Sequence, residues 1–174
     1  MEEKNYEIKV DKKDIRKSWW IWYLGAEVSN SYERLQSLIF CASMIPVLKK
    51  LYKDKAELSE ALKRHLNFYN TEGIAGSIVN GITIAMEEQK ANNEQGSTDA
   101  AITGIKTGLM GPIAGIGDSI IWAAVMPIII ALFLPFAING NALGAIMPII
   151  LYTGVTVLIG YYLCIKGYVI GKNS

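Results

Sequence analysis

Residues 107–165 read TGLMGPIAGIGDSIIWAAVMPIIIALFLPFAINGNALGAIMPIILYTGVTVLIGYYLCI, and the single charged side chain in these fifty-nine positions is Asp118. A water-soluble domain spreads charge over its surface, because most surface positions face solvent. A stretch this poor in charge must instead be covered by lipid or by a partner. As helix it would extend about 88 Å at 1.5 Å per residue, whereas two crossings of a bilayer core need about 60 Å. Two transmembrane helices are therefore predicted, 119–138 and 142–165, joined by a turn at Asn139-Gly140-Asn141. The surplus falls on 107–118, a Gly/Pro-rich stretch expected to enter the membrane without crossing it. Together, 107–174 form an intramembrane segment plus a transmembrane hairpin. Lys106, Lys166 and Lys172 flank one end of that hairpin and the uncharged turn lies at the other, which predicts cytoplasmic ends.

Outward from this stretch the composition changes. Of the 17 Lys and Arg in 174 residues, thirteen lie at or before Arg64. Residues 1–17 alternate six bases with five acids and read as a charged, solvated cytoplasmic arm. Trp19, Trp20, Trp22 and Tyr23 follow within five positions, a clustering that suits a membrane–water boundary, although a soluble core could also hold them. Residues 18–106 then read as amphipathic and re-entrant or interfacial helices. Asn30 and Glu33 have capping-box spacing ahead of Leu35, Leu38, Ile39, Ala42 and Ile45, and Pro46 ends or kinks that helix. Asp54 can cap a second helix whose apolar stripe is Leu58, Leu62, Leu66 and Tyr69. The basic residues around both helices place them on the cytoplasmic side. The uncharged run 73–86 is too short to span, because a crossing needs about 20 residues, and is expected to be re-entrant or interfacial.

Several classes are excluded. A net charge of +1 gives no basic field for nucleic acid. Cys41 and Cys164 sit in apolar surroundings without metal-ligand spacing and read as packing residues. The N-terminus lacks an early apolar core, so no secretory signal peptide is expected. Gly108, Gly111, Gly115 and Gly117 are not followed by a Gly-Lys-Ser/Thr triplet, which argues against a nucleotide loop. No nucleophile–base pair is evident, and no cofactor is expected.

Four segments carry a family resemblance. They are Glu33-Arg34-Leu35-Gln36 leading into Ser43-Met44-Ile45-Pro46-Val47-Leu48; Leu62-Lys63-Arg64-His65-Leu66-Asn67-Phe68-Tyr69-Asn70-Thr71; Ala85-Met86-Glu87-Glu88-Gln89; and Gly108-Leu109-Met110-Gly111-Pro112-Ile113-Ala114-Gly115-Ile116-Gly117-Asp118-Ser119. In order and spacing they resemble the IID subunit of the bacterial mannose/fructose/sorbose-type sugar phosphotransferase permeases. The resemblance implies an all-α polytopic protein of the bacterial cytoplasmic membrane, with its N-terminus in the cytoplasm. It implies a hetero-oligomer in which a IIC membrane subunit and this chain form the pathway for a mannose-type hexose. Cytoplasmic IIA and IIB subunits would carry the phosphate, so the chain would be a transport subunit without its own phosphorylation site. Family members continue beyond the point where this chain stops, at Ser174. A truncated product, half of a split gene or a short variant would each fit, and so would a non-transporting assembly or regulatory protein that binds IIC.

Within that resemblance, some residues could touch sugar. Asp118 is the lone intramembrane acid, and such acids tend to be functional. With Ser119 it could accept from sugar hydroxyls, or it could simply cap the helix beginning there. Gly76, Asn80, Thr83 and Glu87 recur at i, i+4, i+7 and i+11 and so share one helix face. On a membrane-dipping helix that face should meet a partner or an aqueous cavity, since unpaired polar groups in hydrocarbon are costly. The alternative for Glu87 is the solvated end of an amphipathic helix. His65, the sole histidine, reads as a surface or interface residue. Pro127 and Pro148 fall inside the two spans and would free carbonyls near Ala123 and Gly144, as broken transporter helices or ordinary kinks do.

Overall fold

The computed structural model describes residues 8–94 and 96–173. They form an all-α fold: α1 (Lys12–Gly25), α2 (Ser37–Leu51), α3 (Lys55–His65), α4 (Ser77–Ala91), α5 (Asp99–Gly117), a π-helical segment (Asp118–Val125), α6 (Met126–Ile138) and α7 (Leu143–Lys172). Local chemistry sets the starts of α1 and α3. Asp11 accepts from the amides of Lys13 and Asp14 at 2.8 and 2.9 Å, and Asp14 accepts from the amide of Asp11 at 3.3 Å, a reciprocal capping box. Asp54 caps α3 as its position predicts, accepting from Ala56 and Glu57 at 2.8 and 3.1 Å. The box expected at Asn30 and Glu33 does not form, and α2 begins only at Ser37, with Pro46 inside it. Helix α1 also claims the last third of the expected solvated arm, where Ile15 is buried, and Val10 just ahead of the helix is buried too. Residues 1–7 of that arm lie outside the described residues.

Helix α4 is the centre of the lower bundle, surrounded by α1, α2, α5 and α7. It lies so close to α7 that a Cβ added at Gly81 would sit 2.0 Å from the Cys164 carbonyl oxygen, and one at Gly167 would sit 2.1 Å from that of Ile78. Only glycine permits that approach. The stretch read as re-entrant is thus largely a protein core, with Val79, Ile84 and Ala85 fully buried. The aromatic cluster behaves likewise. Trp19 packs edge-on against Tyr161, and Trp22 packs against Phe40 and Tyr69 while its indole N–H donates to the Gly73 carbonyl at 2.8 Å. Only Trp20 of the three clustered tryptophans is exposed.

Asp99–Ile138 is one uninterrupted helical run of 40 residues, and Leu143–Lys172 is a second of 30; both are apolar and long enough to cross a bilayer. Residues 107–118 are therefore helical and continuous with the π segment and α6. The π segment ends one residue before Met126, two before Pro127. Pro127 has no N–H and its ring crowds the residue four positions earlier, Ala123, so a widened turn relieves the clash. The lower parts of the two long helices are clad by α1 to α4. Their upper parts pair only with each other and expose apolar residues such as Ile128, Leu132 and Ile149.

Candidate functional site

The predicted polar face of α4 exists, but it faces inward. Asn80 is fully buried: its amide donates to the Ser43 hydroxyl at 2.9 Å, and its carbonyl accepts from Ser18 at 3.3 Å. The Cys164 thiol lies 3.7 Å from the same oxygen. Thr83 is fully buried and donates to the Val79 carbonyl at 2.8 Å. Glu87, also fully buried, accepts from Arg64 Nε and Nη2 at 2.9 Å each, from His65 Nε2 at 2.9 Å and from the Tyr52 hydroxyl at 2.8 Å. These four bonds occupy both carboxylate oxygens. Three of the residues expected to meet sugar are thus held inside the core with their polar atoms committed. The physical reason is that α1, α2, α3 and α7 bring matching donors and acceptors to that face.

Electrostatics follow from this geometry. Burial alone would raise the Glu87 carboxyl, but the hydrogen bonds from His65 and Arg64 prevail and hold it down to about 2. Burial pushes His65 below its ordinary range despite the Glu87 carboxylate. Its Nδ1 has no partner, which suits a neutral ring protonated on Nε2. His65 is therefore a core residue and not the surface histidine its basic neighbours suggest. Arg64 extends the network to Asp99 at 2.6 Å, and Lys90 reaches the same carboxylate. Lys106 is buried over the Phe40 ring, 4.6 Å from its centroid, and donates to the His65 carbonyl at 3.4 Å. An open cleft of about 840 Å³ borders this network, lined by its members Tyr52, Arg64, Lys90 and Asp99 and by Glu57 and Glu60 among others.

Asp118 and Ser119 are placed differently. Both are exposed, at the junction of α5 and the π segment. Asp118 has helical dihedrals and its backbone N–H continues the helix to the Ala114 and Gly115 carbonyls, no side chain caps the π segment, and the Ser119 hydroxyl donates to the Gly115 carbonyl at 2.8 Å. The five predicted residues thus divide into a buried trio and an exposed pair. Two acids outside the predicted set stand beside the pair. Glu72 is 3% exposed and packs against Gly117, where an added Cβ would sit 2.6 Å from its Oε2. Its Oε2 accepts from the amides of Ile74 and Ala75 at 3.1 and 2.6 Å, and its buried Oε1 has no partner. Glu27 accepts from the neighbouring Gly73 amide at 3.1 Å. Burial raises the Glu72 carboxyl, and the charges of Glu27 and Asp118 add to the rise against the two amide bonds. In the sequence, Glu27 and Glu72 were legible only as carboxylates near glycines, with nothing to pair them across 45 residues.

Along α5 below this corner, Gly104, Gly108, Gly111 and Gly115 are all exposed, and a Cβ at any of them would meet no atom within 4 Å. Their spacing puts them on one face, and Asp118 follows Gly115 by three residues on the same side. The result is an open glycine face that ends at Asp118, whereas Gly117, which Glu72 touches, is buried on the other side of the helix.

A helical bundle with a long, exposed apolar hairpin has the build of a membrane protein. Residues 9–174 match the family described as PTS system mannose/fructose/sorbose family IID component. The mannose-specific EIID component of Escherichia coli (strain K12) is 42% identical over 139 residues, covering 79% of this chain and 49% of that protein. The fructose permease IID component of Bacillus subtilis (strain 168) is 43% identical over 145 residues, covering 83% and 52%. A chain in the cryo-EM structure of the mannose transporter ManYZ and microcin E492 (MceA) complex superposes with a TM-score of 0.88 at 39% identity, covering 96% of this chain and 61% of that one. The chain belongs to the IID components of the mannose/fructose/sorbose phosphotransferase family. It spans about half the length of the curated relatives it matches.

Proposed function

We propose that the chain acts as a IID translocation subunit in the bacterial cytoplasmic membrane. It assembles with a IIC subunit to form the path of a mannose-type hexose, which is phosphorylated on uptake with phosphate delivered by cytoplasmic IIA and IIB subunits. The observation that carries this reading is the family likeness over residues 9–174. The uncovered glycine face of α5 supports it, because exposed small residues on an apolar helix invite close helix packing. The N-terminus and the basic lower bundle lie in the cytoplasm, in keeping with the positive-inside rule. Nothing in the arrangement of Glu87, His65 and Arg64 calls for chemistry by this chain itself, since the three satisfy one another inside the core. Of the five residues expected near sugar, Asp118 and Ser119 are open to a ligand. We assign sugar contact to these two and scaffolding to Asn80, Thr83 and Glu87.

The test is phosphoenolpyruvate-dependent hexose uptake into vesicles that hold this chain, IIC and the phosphocarrier subunits. Uptake that disappears when the chain is left out, and weakens with Asp118→Asn, supports the reading. A stable complex with IIC but no uptake would assign the chain an assembly role instead.

A further inference from the structure

The backbone on both sides of Glu72 is pinned. The Thr71 amide donates to the Gln36 side-chain oxygen at 2.8 Å, and its hydroxyl donates to the Met110 carbonyl of α5 at 3.1 Å. Gly73 donates to Glu27 at 3.1 Å and accepts from the Trp22 indole at 2.8 Å. The Glu72 carbonyl accepts from the Gly76 amide at 2.7 Å. Held between these bonds, the buried side chain has no free backbone to carry it out to water. Three elements close around its carboxyl: α5 with Gly117 and Asp118, the turn after α1 with Glu27, and α7 with Tyr152. The charges of Glu27 and Asp118 are of its own sign. Among the described residues no Lys, Arg or His pairs with it. Oε2 has two amide donors, but Oε1 is buried with none. Ionised, the group would leave a charged oxygen without solvent, donor or cation, which costs more than a neutral oxygen short of one partner. A buried carboxyl so placed sheds its charge.

We infer that Glu72 is a proton-binding site: the folded chain holds it as the neutral acid, and folding takes up a proton there. The sign of the pH dependence follows. Below the ordinary value of 4.5, folded and unfolded chains both carry the proton and nothing is lost. Above it the unfolded chain releases the proton while the folded chain keeps it. Stability therefore falls as pH rises, until the folded group ionises as well. Glu87 and His65 act with the opposite sign, so a comparison with a variant uncharged at position 72 isolates this site.

The test follows that proton in the detergent-solubilised full chain beside Glu72→Gln, an uncharged stand-in for the neutral acid. Infrared spectra of the parent minus the variant should keep the carbonyl band of a protonated carboxyl at about pH 6, where an ordinary glutamate is almost wholly ionised. The melting temperature of Glu72→Gln relative to the parent should climb from about pH 4.5 to about pH 8, whatever its offset at the acid end. Glu72→Met, uncharged and of similar volume, serves both comparisons if the glutamine variant does not fold. Glu27→Gln keeps an acceptor for the Gly73 amide and removes a like charge, so the band should persist there and disappear at a lower pH than in the parent. Absence of the band at pH 6, or a melting-temperature difference that does not change with pH, would overturn the inference. So would a band that Glu27→Gln abolishes and the Glu72 variants retain, because the proton would then sit on Glu27. None of these outcomes bears on the IID reading.

Discussion

Gly81 and Gly104 are both interior to helices, and the same substitution should move them in opposite directions. At Gly81 a methyl group would meet the backbone of Cys164 and Tyr168 at 2.0 and 2.7 Å, and two packed helices would have to part. Gly81→Ala is therefore expected to destabilise the detergent-solubilised chain by about 1–3 kcal/mol, the usual range for overpacking. At Gly104 nothing lies within 4 Å. Gly104→Ala gains only the entropy that glycine loses in a helix and should stabilise by about 0.5–1 kcal/mol. Thermal unfolding of the two variants beside the parent checks both signs, and a parallel shift would show that α4 and α7 are not in backbone contact. The sequence could not separate these glycines, because spacing reveals which residues share a face and not what lies across from it. The same limit governed Asn80, Thr83 and Glu87. Their common face was legible at i, i+3 and i+7, but Ser18, Ser43, Arg64 and Tyr52, which turn that face into core, come from elsewhere in the chain.

Helices α3 and α4 are joined through Glu87, and that junction sets how the fold responds to acid. Folded Glu87 stays ionised down to about pH 2, while the unfolded chain would take up its proton near the ordinary value of 4.5. Its contribution is therefore full above about 4.5 and is lost as pH falls towards 2. His65 acts in the same direction earlier. It is held neutral when folded, with its ordinary value at 6.5, so unfolding is favoured by proton uptake as pH drops below that point. Denaturant titrations between pH 7.5 and 4 should show stability falling in two overlapping steps, with the upper step absent in His65→Gln. A flat profile from pH 7.5 to 5 would remove His65 from the account. Element boundaries were legible where one side chain decides them, as at Asp54. They were obscured where composition misled. Asp11 and Asp14 read as part of a charge alternation although they cap α1. The glycines and Pro112 of α5 read as a broken entry segment although the helix runs through them, because Pro112 costs one hydrogen bond and packing below retains the rest.

At the scale of the molecule, the cladding of the two long helices is the basis on which we propose where the bilayer sits. Below Asp118, α5 is flanked by α3 and α4, and α7 below Tyr152 is packed against α4 and α1. From Asp118 to Ile138 the outer helix has 21 residues, or about 31 Å, which is one bilayer core. The near-chargeless stretch announced this hairpin from sequence. It could not say that the chain below the hairpin is a folded bundle, since burial by protein and burial by lipid leave the same apolar signature. The two environments can be told apart by water. In sealed vesicles of known orientation, single cysteines at Ile128 and Ile149, both apolar and exposed in the isolated chain, should resist a membrane-impermeant maleimide from either side. Lys53→Cys and Glu60→Cys, on the lower bundle, should label from the cytoplasmic face only, and Asn139→Cys at the turn from the opposite face only. The native thiols Cys41 and Cys164 are buried and should give little background. Labelling of Lys53→Cys and Asn139→Cys from the same face would mean that the hairpin does not cross. Rapid labelling at Ile128 would mean that water or an aqueous pathway reaches a face assigned to lipid.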